Sequence, residues 1–260
     1  MNNRAEQLKG FERLLDIMDD LREKCPWDKK QTFQSLKHLT VEEVYELNDA
    51  ISENNTNEIK KELGDLLLHI VFYAKIGSET NDFDIADVCH AISEKLISRH
   101  PHIYGDAVAN DEQAVKENWE KLKLKEGNKS VLSGVPQSLP AIIKAYRIQD
   151  KVKGVGFDWN NKEDVWQKVE EELNEFKVEV ANNEFENQEQ EFGDVLFALI
   201  NYARFCNINP EEALNKTNNK FINRFTKMEE LIKNDSKTIG DLPLNELDSY
   251  WNEVKKFEKR

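Results

Sequence analysis

The chain repeats itself, and that constrains its fold more than any other feature. Glu62-Leu63-Gly64-Asp65-Leu66-Leu67-Leu68-His69-Ile70-Val71-Phe72-Tyr73-Ala74-Lys75 reads onto Glu191-Phe192-Gly193-Asp194-Val195-Leu196-Phe197-Ala198-Leu199-Ile200-Asn201-Tyr202-Ala203-Arg204, an offset of 129 residues. The same offset carries Glu42-Glu43-Val44-Tyr45-Glu46 onto Glu171-Glu172-Leu173-Asn174-Glu175. Two segments matching in one register mean two copies of one folding unit. Further on, Lys95-Leu96-Ile97-Ser98-Arg99 answers to Lys220-Phe221-Ile222-Asn223-Arg224, and Trp119-Glu120-Lys121-Leu122-Lys123 to Trp251-Asn252-Glu253-Val254-Lys255, with small changes of offset that loop lengths explain. Residues 125–136 are turn formers without a helical period. The seam is therefore expected near residue 130, giving domains 1–130 and 131–260.

Each copy reads as helices. Phe11, Leu14, Leu15, Met18 and Leu21 recur at helical spacing until Cys25-Pro26-Trp27-Asp28 stops them. A second helix is predicted after Thr40, carrying Val44, Leu47, Ala50 and Ile51. A third, from about Asn57, turns apolar nearly all round after Asp65, which marks a buried core helix. A fourth runs from Ile85 through Val88, Ile92 and Leu96. In the second copy a first helix is predicted from Pro140 and the acid-bearing helix from near Asn161. No segment alternates as a half-buried strand does. Ten glycines and six prolines are too few for the turns of a β-sandwich or barrel, so the fold class is all-α.

The net charge of -14 argues against a nucleic-acid or anionic-membrane partner, since neither offers counterions for carboxylates to displace. Cys25, Cys89 and Cys206 form no C-x-x-C pair and fit reduced thiols in the cytoplasm. The first residues are polar, unlike a secretory signal, and the apolar runs 66–74 and 195–203 fall well short of a membrane span. A soluble, cytoplasmic protein is expected.

Within this acidic chain one set of carboxylates stands out. At about 100° per residue, Glu43 and Glu46 share one helix face, and so do Glu62 and Asp65 on the next helix. An arbitrary E-x-x-E is most often a solvated surface. Here Glu43 lies on the stripe of Leu47 and Ala50, Asp65 one turn below Leu68 and Phe72, and Asp194 below Phe197 and Ala198, so these acids are expected on the packed side. Two like charges about 4 Å apart repel by roughly 4 kcal/mol at an effective dielectric near 20. Four converging carboxylates therefore call for a cation, and an all-oxygen donor set suits magnesium or manganese. A capping box, Thr40-Val41-Glu42-Glu43, competes as an explanation of Glu43. It fails for Glu172, which keeps the register although its helix starts earlier. Gly64 and Gly193, each before the last acid, either admit a ligand or neighbouring helix closely or are plain packing glycines. A di-iron site would need Glu-x-x-His, and Asp65 stands where that histidine would be. His69 has Ala198 as its counterpart and reads as a core histidine.

E-E-x-x-E followed on the next helix by E-x-x-D, with a downstream K-x-x-x-R and tryptophan, resembles the MazG family of nucleoside triphosphate pyrophosphohydrolases. Cys25-Pro26-Trp27-Asp28, Arg99-His100-Pro101-His102, Ser138-Leu139-Pro140-Ala141 and Val155-Gly156-Phe157-Asp158-Trp159 are also similar to its two-domain bacterial members. The resemblance implies an all-α tandem repeat whose helices assemble four-helix-bundle-type metal sites, usually through dimerisation. It implies Mg-dependent attack of water on the α-phosphorus of a nucleoside triphosphate, ribo- or deoxyribo-, releasing monophosphate and pyrophosphate. The implied metal ligands are Glu172, Glu175, Glu191 and Asp194 in the second copy and Glu43, Glu46, Glu62 and Asp65 in the first.

Glu171 and Glu42, off the acid stripe, either orient the attacking water or hold a second metal; with Glu172 they form the expected catalytic group. Lys168, one turn before Glu172, and Lys220 with Arg224, four residues apart, suit phosphate oxygens. Trp251 suits the base. Lys95, Arg99 and Trp119 are the first copy's counterparts, whereas Leu39 replaces Lys168 there, so the second copy is expected to be the main catalytic one. A homodimer is expected because one copy looks too short to complete a site. The competing reading is a non-catalytic acidic helical module that binds nucleotides or a protein, and a terminal-phosphate phosphatase is a third.

Overall fold

The computed structural model describes residues 3–105 and 130–257. The chain divides into two compact units, Met1–Val108 and Ala109–Arg260. Residues 106–129, where that division falls, lie outside the described residues, and the seam near residue 130 remains a proposal. No strand occurs among the described residues, as an all-α chain requires.

In the first unit, α1 (Arg4–Lys24) leads through a 3₁₀ turn (Asp28–Lys30) to α2 (Phe33–Ser52), α3 (Thr56–Glu79), α4 (Ile85–Arg99) and the short α5 (Pro101–Tyr104). The side chains of Asn3, Thr32, Asn55 and Asp84 accept backbone N–H groups at the starts of the first four helices, satisfying donors that have no partner inside a helix. The second helix starts eight residues earlier than predicted. Thr32 and Ser35 form its capping box, while the Thr40 hydroxyl turns back to the Leu36 carbonyl inside the helix. Glu43 is therefore mid-helix and caps nothing.

α2 and α3 form an antiparallel hairpin turned by Asn54 at φ 54°, a left-handed conformation asparagine tolerates. Met18, Leu36, Val71, Phe72 and Ile76 make the core. The expectation of an all-round buried third helix needs correction. Along α3 His69, Val71, Phe72 and Ala74 are buried, while Leu63, Leu67 and Ile70 are exposed, left uncovered by the described residues of the unit. Gly77 is where α3 must be bare: a Cβ there would come within 2.8 Å of the Phe83 ring leading into α4.

The second unit repeats the plan with α6 (Ala141–Lys153), α7 (Lys162–Asn182), α8 (Phe185–Phe205), α9 (Pro210–Asn234), a 3₁₀ turn (Ile239–Asp241) and α10 (Leu244–Phe257). Pro140 precedes α6 and Asn161 caps α7, as the sequence suggests. The α7–α8 hairpin turns at Asn183, φ 61°. α4 ends where Pro101 follows, but its counterpart α9 runs unbroken for 25 residues and packs Met228 and Ile232 against Val254 of α10. The repeat also reaches the first helices. Arg22 and Lys151, 129 residues apart in the last turns of α1 and α6, are both largely withdrawn from water and tie neighbouring loops down. Arg22 donates to the Asp28 and Gln31 carbonyls and pairs with Glu79 through two nitrogens; Lys151 donates to the Val131 carbonyl at 3.2 Å.

Candidate functional site

The two hairpins assemble the acids. On α2 and α3, Glu43, Glu46 and Glu62 each offer a carboxylate oxygen with all three within 4.8 Å of one another. On α7 and α8, Glu172, Glu175 and Glu191 do the same. Three-residue spacing places two acids on one face of the first helix of each pair, and the antiparallel turn brings the third opposite them. Asp65 and Asp194 are not members of these triads, although the Asp65 charge acts on Glu43.

The acids are less uniformly inward than their stripe positions suggest. Glu62 and Glu172 are buried and Glu43, Asp65 and Glu191 half-buried, whereas Glu46, Glu175 and Asp194 are exposed. A three-residue step turns the side chain about 60° around the helix axis, enough to carry the second acid from the packed seam towards solvent. Glu42 and Glu171, off the stripe, are exposed.

Loss of solvent and neighbouring charge push three of these carboxyls, Glu43, Glu46 and Glu175, upward. Loss of solvent, followed by the charges of Asp65, Glu46, Glu62 and Glu42, holds the Glu43 carboxyl above the ordinary carboxylate range. Glu46 is raised by the same loss of solvent and by Glu62, and Glu175 by loss of solvent and Glu172. Glu62 carries the sharpest conflict. Its Oε1 meets the exposed Lys61 ammonium at 3.4 Å, but its Oε2 is buried without a hydrogen-bond partner. An orphaned carboxylate oxygen is costly, and a divalent cation among three such oxygens would satisfy it. The residues present therefore fit a hard metal ion, and both acid clusters can hold one.

The second unit answers the same charge differently. Lys168 Nζ lies 2.6 Å from Glu171 Oε1 and 2.7 Å from Glu172 Oε1, so the buried Glu172 has a cationic partner one turn away. These two hydrogen bonds raise the lysine pKa. Glu171 is thereby engaged by Lys168. Leu39 occupies the corresponding place in the first unit and packs on its core.

The remaining sequence-predicted residues are spread over other helices. Lys220 is exposed and Arg224 half-buried on α9; Lys95 is exposed and Arg99 half-buried on α4. Trp251 on α10 is half-buried against the Met228–Ile232–Val254 cluster, its ring 5.1 Å from Phe221, so packing occupies part of the surface expected to stack on a base. Trp119 lies outside the described residues. Neither Gly64 nor Gly193 has anything within 4 Å of where a Cβ would stand, so no close approach among the described residues requires them.

His69 is buried, with Nδ1 2.9 Å from the Thr40 hydroxyl, which also meets the Tyr73 hydroxyl at 2.7 Å. Burial lowers its pKa, against the opposing charge of Asp65. It is a core histidine that braces α2 against α3 one turn beyond the acids. Sequence reasoning missed two supports. Lys61 has no spacing signal, since a lysine beside a glutamate is commonplace. The Asp158–Arg204 pair, which fixes the loop before α7 to α8, joins residues far apart in the chain; the Gly156-Phe157-Asp158-Trp159 motif was the only hint.

Comparison with known proteins agrees with this geometry. The family model described as the MazG nucleotide pyrophosphohydrolase domain matches residues 31–104 and 160–228, the two stretches that contain the acid hairpins. A Thermotoga maritima protein named nucleoside triphosphate pyrophosphohydrolase/pyrophosphatase MazG is 45% identical over 250 residues, covering 94% of this chain and 95% of the relative. The Escherichia coli nucleoside triphosphate pyrophosphohydrolase is 40% identical over 260 residues, covering 96% and 99% respectively. An uncharacterized Bacillus subtilis protein, YabN, is 47% identical over 256 residues, which are 96% of this chain but 52% of that protein.

Proposed function

The chain belongs to the MazG nucleotide pyrophosphohydrolase family, and from that membership we propose a Mg-dependent enzyme that cleaves nucleoside triphosphates at the α-phosphorus to monophosphate and pyrophosphate. Its class, a nucleoside triphosphate pyrophosphohydrolase and so a hydrolase of phosphorus-containing acid anhydrides, follows from the family. The observation that carries the finer reading is the recurrence of a three-carboxylate cluster at matching positions of both hairpins.

Glu172, Glu175 and Glu191, with Asp194 alongside, would hold the metal in the second unit; Glu43, Glu46 and Glu62, with Asp65, would hold it in the first. When bound there, magnesium supplies positive charge for the triphosphate oxygens and lowers the pKa of a coordinated water. The chain's own residues do the rest. Glu171, exposed and held by Lys168, would orient the attacking water or hold a second ion. Lys168, Lys220 and Arg224 draw in the phosphates, and the part of Trp251 left open to solvent serves the base. Lys95 and Arg99 do the same for the first unit, with Trp119 as the counterpart of Trp251.

We further propose a cytoplasmic homodimer without nucleic-acid or membrane partners. No helix among the described residues is long and apolar enough to cross a membrane. Support for the dimer is the apolar surface beside both acid clusters. Leu63, Leu67 and Ile70 in the first unit, and Phe192, Leu196 and Leu199 in the second, are each about 40–50% exposed on acid-bearing helices. Product identity tests the function. Pyrophosphate and monophosphate should appear from a nucleoside triphosphate only when Mg2+ is supplied. Orthophosphate would indicate a phosphatase, and no product from folded protein a binding module.

A further inference from the structure

The two acid clusters differ in one place that bears on their affinity for metal. Glu172 is the buried acid of the second cluster, and Lys168 touches it at 2.7 Å from the same helix, with its side chain 35% exposed. Among the described residues the first cluster has no such partner for Glu43, and Leu39, at the position of Lys168, is turned into the core. The cation that cluster does pair with, Lys61, is 64% exposed, reaches Glu62 at only 3.4 Å and leaves Oε2 bare. We propose that Lys168 is a tethered competitor of the divalent cation, making the second site the weaker of the two for metal alone and the more dependent on nucleotide for metal uptake.

The inference rests on the proposed metal role of the acids. An ammonium in contact with Glu172 repels an incoming dication and must give up two charge-assisted hydrogen bonds to let Glu171 and Glu172 rearrange. A triphosphate reverses the sign of that interaction. Its oxygens offer the ammonium new partners, so the lysine leaves the carboxylates as metal and nucleotide enter together. Binding of one ligand then favours the other by a coupling that the first site, lacking the lysine, has in smaller measure.

Binding of Mn2+ alone, followed by electron paramagnetic resonance, tests this on the full chain. In a Glu62→Gln background that disables the first site, adding Lys168→Met should tighten Mn2+ binding at the second site by roughly three- to tenfold, the worth of a partly exposed ion pair. In a Glu172→Gln background, Leu39→Lys should loosen the first site by a similar factor. Circular dichroism melts of each variant confirm that it is folded. Unchanged or weaker Mn2+ binding in the folded Lys168→Met variant overturns the inference while leaving the metal reading intact. A wild-type chain that takes up no Mn2+ overturns the metal reading and this inference with it.

Discussion

Arg204 clasps Asp158 with two nitrogens, Nη1 at 2.9 Å from Oδ2 and Nη2 closer still to Oδ1, across 46 residues of chain. Arg204 is 8% exposed, and its guanidinium also lies 4.7 Å from the Phe205 ring centroid. The pair fixes the loop that delivers α7, and with it Glu172 and Glu175, against α8. Arg204→Ala leaves the Asp158 carboxylate largely buried without its partner, so it should destabilise the second unit by about 3 kcal/mol. Arg204→Lys should recover only part, because it loses the two-pronged contact. Urea denaturation followed by tryptophan fluorescence measures both.

Glu172→Gln should lower pyrophosphate release by roughly a hundredfold or more, as removal of a metal-holding carboxylate does. Glu43→Gln should lower it much less, because the first unit lacks the counterpart of Lys168. Steady-state assays of the two variants decide between them. Unchanged turnover in Glu172→Gln would remove the second unit from the catalytic role.

Glu62 bears a buried, unpartnered oxygen. Glu62→Gln removes its charge and gives the neighbouring carboxylates an amide donor, so in chelator it should raise the melting stability by about 1 kcal/mol. The stabilising response to Mg2+ should shrink in the same variant. Differential scanning calorimetry with and without Mg2+ reports both effects, which have opposite signs.

Two groups of the first unit should give opposite responses to pH in chelator. Burial lowers the His69 pKa, so unfolding takes up a proton at acidic pH. The stability it contributes is complete above the unfolded value, about 6.5, and is lost as pH falls through that value towards the folded one. Glu43 and Glu46 are raised, so their contribution is present below the ordinary carboxyl range and is lost as pH rises through their folded values. His69→Gln, able to keep the Thr40 hydrogen bond, should flatten the loss between pH 7.5 and 5.5. Glu43→Gln should flatten part of the change at lower pH. Melting temperatures from pH 7.5 down through the carboxyl range test each variant.

If the exposed faces of α3 and α8 are buried against a second copy, Leu67→Glu and Leu196→Glu should each weaken association. Sedimentation velocity at several concentrations should show a dimer for the wild type and a shift towards monomer for both variants.

Much of this organisation was legible because the chain states it twice. The E-E-x-x-E and E-x-x-D spacings at one offset were enough to place both hairpins and to bring Glu43 beside Glu62, and Glu172 beside Glu191. Periodicity found α3 but overestimated its burial, because the described residues of the unit leave Leu63, Leu67 and Ile70 uncovered. The start of α2 was missed because Thr40 resembles a cap, while the Thr32–Ser35 box lies in a less apolar stretch. Which acid is withdrawn from water depends on side chains meeting between helices, and no spacing encodes that. Asp158 and Arg204 were beyond reach for the same reason.

The two copies withdraw opposite members of one inherited pattern. Glu62, from the later helix of its hairpin, is buried in the first unit, and Glu172, from the earlier helix, in the second. A water-soluble carbodiimide applied to chelated protein would therefore mark the copies unequally, sparing the descendant of one ancestral glutamate in the first half and of a different one in the second. Duplication preserved the letters of the motif while solvation chose anew which of them to hide.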